Sequence, residues 1–125
     1  VHGLGSDYQY TYEVINVCKK GKPVIESHQG EQEYQDVWHI QRKVGRNNDH
    51  ATAKPIELCE RAIRHASEQG GVVLDLFGGS GSTLIAAEQT NRTCYMMELD
   101  PKYCDVIIKR WENITGQKAE LVNSK

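Results

Sequence analysis

The sequence predicts an α/β protein with a largely parallel sheet and flanking helices. Two short apolar runs, Val72–Leu76 and Thr93–Met97, have the length and composition of buried strands. A glycine-rich turn and a helical stretch separate them, and a strand, helix, strand order this compact nearly always closes right-handed into parallel pairing. Helical patterns stand before the first run and after the second. The elements follow in order along the chain. Tyr8–Cys18 is rich in β-branched and aromatic residues and predicts a strand, with Lys19–Pro23 as a turn and a return strand through Ile25. Residues 27–35 are polar and aperiodic and predict a loop. Asp36–Ile40 predicts another short extended segment, and the charged, glycine-bearing stretch 42–49 a connection. Pro55 suits a first helical position, and Ile56, Cys59, Ile63 and Ala66 recur at helical spacing, so a helix runs from Pro55 to about Ser67, where Gly70-Gly71 stops it. After the strand Val72–Leu76, a helix runs from Ser80 or Gly81 to about Gln89, and the strand Thr93–Met97 follows. Pro101 opens the last helix, which carries Tyr103, Val106, Ile107, Arg110 and Trp111 on one face and ends at Gly116. This gives a single domain over 1–125, with extended strands and loops in 1–49 and a helix-βαβα portion in 50–116.

The 125 residues leave no room for a second full domain. The formal net charge is −2, which gives the chain no overall attraction for a polyanion. Cys18, Cys59, Cys94 and Cys104 form no C-x-x-C pair and no zinc-like spacing, so reduced thiols and no metal site are expected. No run is long enough to span a bilayer and no signal segment opens the chain, so a soluble, cytoplasmic protein is expected.

Val72-Val73-Leu74-Asp75-Leu76-Phe77-Gly78-Gly79-Ser80-Gly81-Ser82-Thr83 is the segment that most nearly announces a ligand. Glycines directly after a strand let backbone approach a bound group without side-chain obstruction. A P-loop would need a lysine before Ser82-Thr83, and none is present. A dinucleotide turn would need a third glycine where Leu84 stands, so that match is partial. The remaining reading is S-adenosylmethionine, which has no pyrophosphate: its amino-acid portion can lie on backbone amides while Asp75 faces its ammonium group. Glu98, directly after the second strand, lies at the same sheet edge and can accept both ribose hydroxyls. That feature supports a ribose without separating nicotinamide from adenosylmethionine.

Three segments, His50-Ala51-Thr52-Ala53-Lys54-Pro55-Ile56-Glu57-Leu58, Val73 to Thr83 and Glu98-Leu99-Asp100-Pro101-Lys102-Tyr103, resemble in order and spacing the DNA amino-methyltransferases that modify adenine N6 or cytosine N4. The resemblance is to the motif order in which the cofactor segment is C-terminal, and it is strongest over 50–111. It implies part of a Rossmann-like, S-adenosylmethionine-dependent methyltransferase fold and a site-specific enzyme acting on DNA. It also implies cofactor-binding roles for Lys54, Asp75, Phe77, Gly78, Gly79, Ser80, Gly81, Ser82, Thr83 and Glu98, with Lys54 flanking the methionine end. Trp111 is expected in the core.

Such enzymes hold a flipped base with Asp, Asn or Ser followed by Pro-Pro and an aromatic. The three prolines here, Pro23, Pro55 and Pro101, are never adjacent, so no catalytic residue is assigned. Asp100-Pro101-Lys102-Tyr103 lacks the second proline and is expected to start a helix. The resemblance implies that the catalytic segment precedes the region of Tyr12–Val17 and lies upstream of Val1, with DNA engaged through the complete protein. The stretch from Pro23 to His50 is too short for a sizeable base-reading domain. The alternative is a noncatalytic module that binds S-adenosylmethionine or a protein partner.

Overall fold

The computed structural model describes residues 12–21, 36–41 and 53–122. Within them lie α1 (Ile56–Ala66), β1 (Val72–Asp75), α2 (Ser82–Gln89), β2 (Thr93–Met96) and α3 (Pro101–Thr115). β1 and β2 pair in parallel, Val72 opposite Thr93 through Asp75 opposite Met96. The predicted α/β order and the parallel pairing are both present.

α1 starts one residue later than the sequence suggests. Pro55, at φ −56° and ψ 135°, is the cap rather than the first helical residue, and its carbonyl accepts the Leu58 amide at 3.1 Å. A proline suits this place because it has no amide to leave unsatisfied. Glu57 in the first turn and Arg64 and His65 in the last match the helix dipole. Both the amide and the hydroxyl of Ser67 donate to the Ile63 carbonyl, at 3.0 and 2.7 Å, and close the helix.

Each strand is one residue shorter than predicted, but the ladder does not stop with it. The Met97 amide donates to the Asp75 carbonyl at 2.9 Å and the Gly78 amide to the Met97 carbonyl at 2.8 Å. The hydrogen-bonded pairing thus carries into the turn after β1 and fixes its height above the sheet. α2 is apolar on most sides, as a helix wedged between neighbours must be. Ile85, Ala86 and Ala87 are wholly buried, and Ala86 and Ala87 form the core with Ile63, packed by Ile56, Cys59, Val73 and Cys94. Arg92 is buried as a brace: its guanidinium donates to the Thr90 carbonyl at 2.6 Å and to the hydroxyl and carbonyl of Ser67 at 3.2 and 2.6 Å.

α3 has Asp100 as its cap, accepting the Lys102 amide at 2.9 Å, and ends at Gly116, whose φ of 71° is left-handed. Tyr103, Val106, Ile107, Arg110 and Trp111 are all at least half-buried, as the predicted stripe requires. Trp111 is only partly buried, and its indole donates to Glu88 on α2 at 3.0 Å. All the core contacts fall on the Val73 and Cys94 side of the sheet. Val72, Leu74, Leu76, Tyr95 and Met97, on the other side, are each more than half exposed.

The strand expected over Tyr8–Cys18 is not formed in its described part: residues 12–20 carry no regular pairing. Composition favours extension, but a strand exists only with a ladder partner, and Tyr12, Val14, Ile15 and Val17 are all exposed. Gly21, at φ 79°, does make the bend predicted after it. Asp36–Ile40 is likewise unpaired, with a bend at 36–37. The expected return strand, the loop 27–35 and the connection 42–49 lie outside the described residues.

Candidate functional site

The carboxyl ends of β1 and β2 open on the same side, and the turn between β1 and α2 meets the residue after β2 there. Asp75 begins the turn: its carboxylate accepts the Phe77 amide at 2.9 Å, a local bond that reverses the chain two residues on. Gly79 follows at φ 54° and Gly81 at φ 80°, both in the left-handed region that favours glycine. Gly81 donates its amide to the Gly78 carbonyl at 2.8 Å and caps α2 with no side-chain hydrogen bond. The first amides of α2 therefore carry no side-chain cap, the arrangement that suits an anionic or polar group at a helix start.

Glu98 closes the turn from the other strand. One carboxylate oxygen accepts the Gly79 amide at 2.6 Å, and the other accepts the amides of Leu99 at 2.9 Å and Asp100 at 3.0 Å. These bonds, the Asp100 amide foremost and then those of Gly79 and Leu99, hold the carboxyl below its ordinary pKa. On either side of this centre Phe77 and Leu99 are 89% and 96% exposed, two apolar surfaces facing solvent. The arrangement offers backbone amides to a negative group and two carboxylates to hydroxyl or ammonium donors.

Of the residues singled out by sequence, Asp75, Phe77, Gly78, Gly79, Ser80, Gly81 and Glu98 form this one edge. Lys54 joins it through its backbone, because its carbonyl accepts the Ser82 hydroxyl at 2.7 Å. The Lys54 ammonium pairs with Glu13. Ser82 and Thr83 turn their hydroxyls towards the segment of α1, Thr83 reaching the Cys59 sulfur at 3.9 Å, so what they present at the turn is backbone. His50 and Thr52 lie outside the described residues. Among the described residues no cluster of His, Cys, Asp and Glu is suited to a metal ion.

Sequence reasoning missed the part α3 takes. An added Cβ at Gly78 would lie 2.7 Å from the Met96 side chain and 3.2 Å from Ile107, and one at Gly81 would lie 3.1 Å from Ile107. The Arg110 guanidinium donates to the Ser80 carbonyl. The signal was present in the helical stripe, where a single arginine stands among apolar residues. A cleft lined by Leu84, Glu88, Arg92, Cys94, Ile107 and Trp111 lies at the start of β2 and includes no residue of the turn.

The sequence matches the DNA methylase family over residues 5–110. It is 37% identical over 76 residues to the type II methyltransferase M.BglI of Bacillus subtilis, covering 61% of this chain and 22% of that protein. It is 29% identical over 108 residues to the type II methyltransferase M2.DpnII of Streptococcus pneumoniae, covering 84% of this chain and 37% of that protein. The chain thus spans well under half the length of these curated relatives. Among solved structures it is similar to the M1.HpyAVI–SAM complex, with a TM-score of 0.56 and 27% identity over 71% of this chain and 43% of that one.

Proposed function

The chain belongs to the DNA methylase family of N6/N4 methyltransferases, and on that premise we propose that its sheet edge binds S-adenosylmethionine as the donor part of a DNA methyltransferase acting on adenine N6 or cytosine N4. The observation that carries the reading is the Gly79 to Glu98 bond, which brings the glycine turn and the carboxylate after β2 into one site. The likeness to the solved M1.HpyAVI–SAM complex supports the choice of nucleoside.

In this reading the backbone of Gly79, Ser80 and the first turn of α2 receives the amino-acid end, and Asp75 faces its ammonium. Glu98 accepts the ribose hydroxyls, while Phe77 and Leu99 offer apolar surface to the purine. A carboxylate has about four acceptor positions, and backbone amides already use three at Glu98. Accepting two hydroxyls therefore means sharing or exchanging an amide bond, and the Gly79 bond is the one that faces the turn. Lys54 contributes by fixing the start of α2 through its carbonyl.

The base is handled, in this proposal, by residues other than these 125, since no Pro-Pro-aromatic segment occurs among them. DNA is then a partner of the complete protein, and the setting is the cytoplasm. Among the described residues no helix is long and apolar enough to cross a membrane.

Calorimetry of the chain with S-adenosylmethionine, S-adenosylhomocysteine and NAD tests the reading. Heat of binding with the first two and none with NAD is expected. Tight NAD binding with no response to the others would sink it.

A further inference from the structure

We propose that Arg110, seated by Ile107 one turn away on α3, is a positioning residue that sets the aim of the glycine turn. This inference rests on the donor-site reading above. The peptide unit between Ser80 and Gly81 is held at both ends: its carbonyl receives the Arg110 guanidinium, and its amide donates to the Gly78 carbonyl at 2.8 Å. A peptide unit fixed at both poles cannot rotate without breaking one bond, so the torsions on either side of it, ψ of Ser80 and φ of Gly81, are restrained.

The Ser80 amide itself meets no hydrogen-bond acceptor among the described residues. It is joined to the held unit through the Ser80 Cα and one further torsion, so restraining that unit narrows the directions open to it, and Arg110 helps to aim a donor that it does not touch. Ile107 makes this reach possible by lying directly against the turn, in space that a Cβ at Gly78 or Gly81 would fill. Gly81 thus serves the approach of α3, and Gly78 that of the Met96 side chain first and then of Ile107. Gly79, where an added Cβ would meet nothing closer than 3.8 Å, is the one with open space around it.

Arg110→Ala and Arg110→Lys in the full chain test the role with two readouts. The first uses no ligand: the amide NMR signals of Gly79, Ser80 and Gly81 move in R110A and return towards their original positions in R110K, whose ammonium can donate one bond to the same carbonyl. Unmoved signals in R110A overturn the proposal. The second compares S-adenosylhomocysteine with methylthioadenosine, which lacks the amino-acid end. Losing a charged hydrogen bond that orders the turn weakens the first by about tenfold in R110A and leaves the second within about twofold. An equal loss for both ligands shows a general structural effect and overturns the positioning role. If R110A does not fold, Ile107→Val, which removes the methyl nearest Gly78, is expected to show the same selectivity to a smaller degree, and equal losses there overturn it. A wild-type chain that binds neither ligand sinks the donor reading, while the ligand-free signals still judge Arg110 on their own.

Discussion

At Glu98 the carboxylate joins two loops and, in the proposed function, also meets the ribose. Glu98→Ala is expected to weaken S-adenosylhomocysteine binding by about tenfold or more, since it removes both acceptors for the hydroxyls and leaves the Gly79 amide without its partner. Titration calorimetry measures this, and unchanged affinity refutes the role. The glycines of the turn separate by cost. Gly81→Ala combines a left-handed φ with close approach to Ile107 and should destabilise by about 2–3 kcal/mol. Gly79→Ala has the φ without the crowding and should cost about 1 kcal/mol. Denaturant unfolding of the two variants checks the order. Glu98 was legible because a carboxylate directly after a second parallel strand falls at a known edge. The hydroxyls of Ser82 and Thr83 were not, because sequence says that a helix begins there but not which way its side chains turn.

The helices show how termini fix a site. α3 is started by Asp100, whose side chain accepts the Lys102 amide, and this cap sits two residues beyond Glu98. Asp100→Ala should therefore cost about 1 kcal/mol of stability, and thermal unfolding followed by circular dichroism would show it as a lowered midpoint. A midpoint equal to that of the parent chain counts against the cap. The elements of 53–116 were legible because strand length, helical spacing, Pro101 and Gly116 all agree locally. The described part of Tyr8–Cys18, residues 12–18, was not, since its strand character depends on a pairing partner that composition cannot name. The contact of α3 with the turn escaped for a related reason: the stripe containing Ile107 and Arg110 shows which face is covered, but not what covers it.

For the molecule as a whole, acid is the expected weak point. Hydrogen bonds hold two carboxyls below their ordinary pKa: Glu98 through the Asp100, Gly79 and Leu99 amides, and Glu112 through the Ala119 amide and then Lys118. A carboxyl depressed in the folded chain lends stability that is complete above its unfolded value and disappears as pH falls through the folded one. The thermal midpoint should thus fall as pH drops through and below the usual carboxylate range, and an E98Q/E112Q variant should show a flatter decline. An identical decline in both proteins would remove these groups as the cause. The order of the described elements was legible from the sequence alone, but the exposure of Val72, Leu74, Leu76, Tyr95 and Met97 on one side of the sheet was not, because apolar strands predict burial on both faces. One bond described above also bears on time. Gly79 and Glu98 stand 19 residues apart, Ser82 and Lys54 28, and Arg110 and Ser80 30, so no short stretch of chain can form the edge by itself. The Gly79 amide should exchange with deuterium only when the two loops part, which makes its exchange rate a clock for the opening of the βαβ unit.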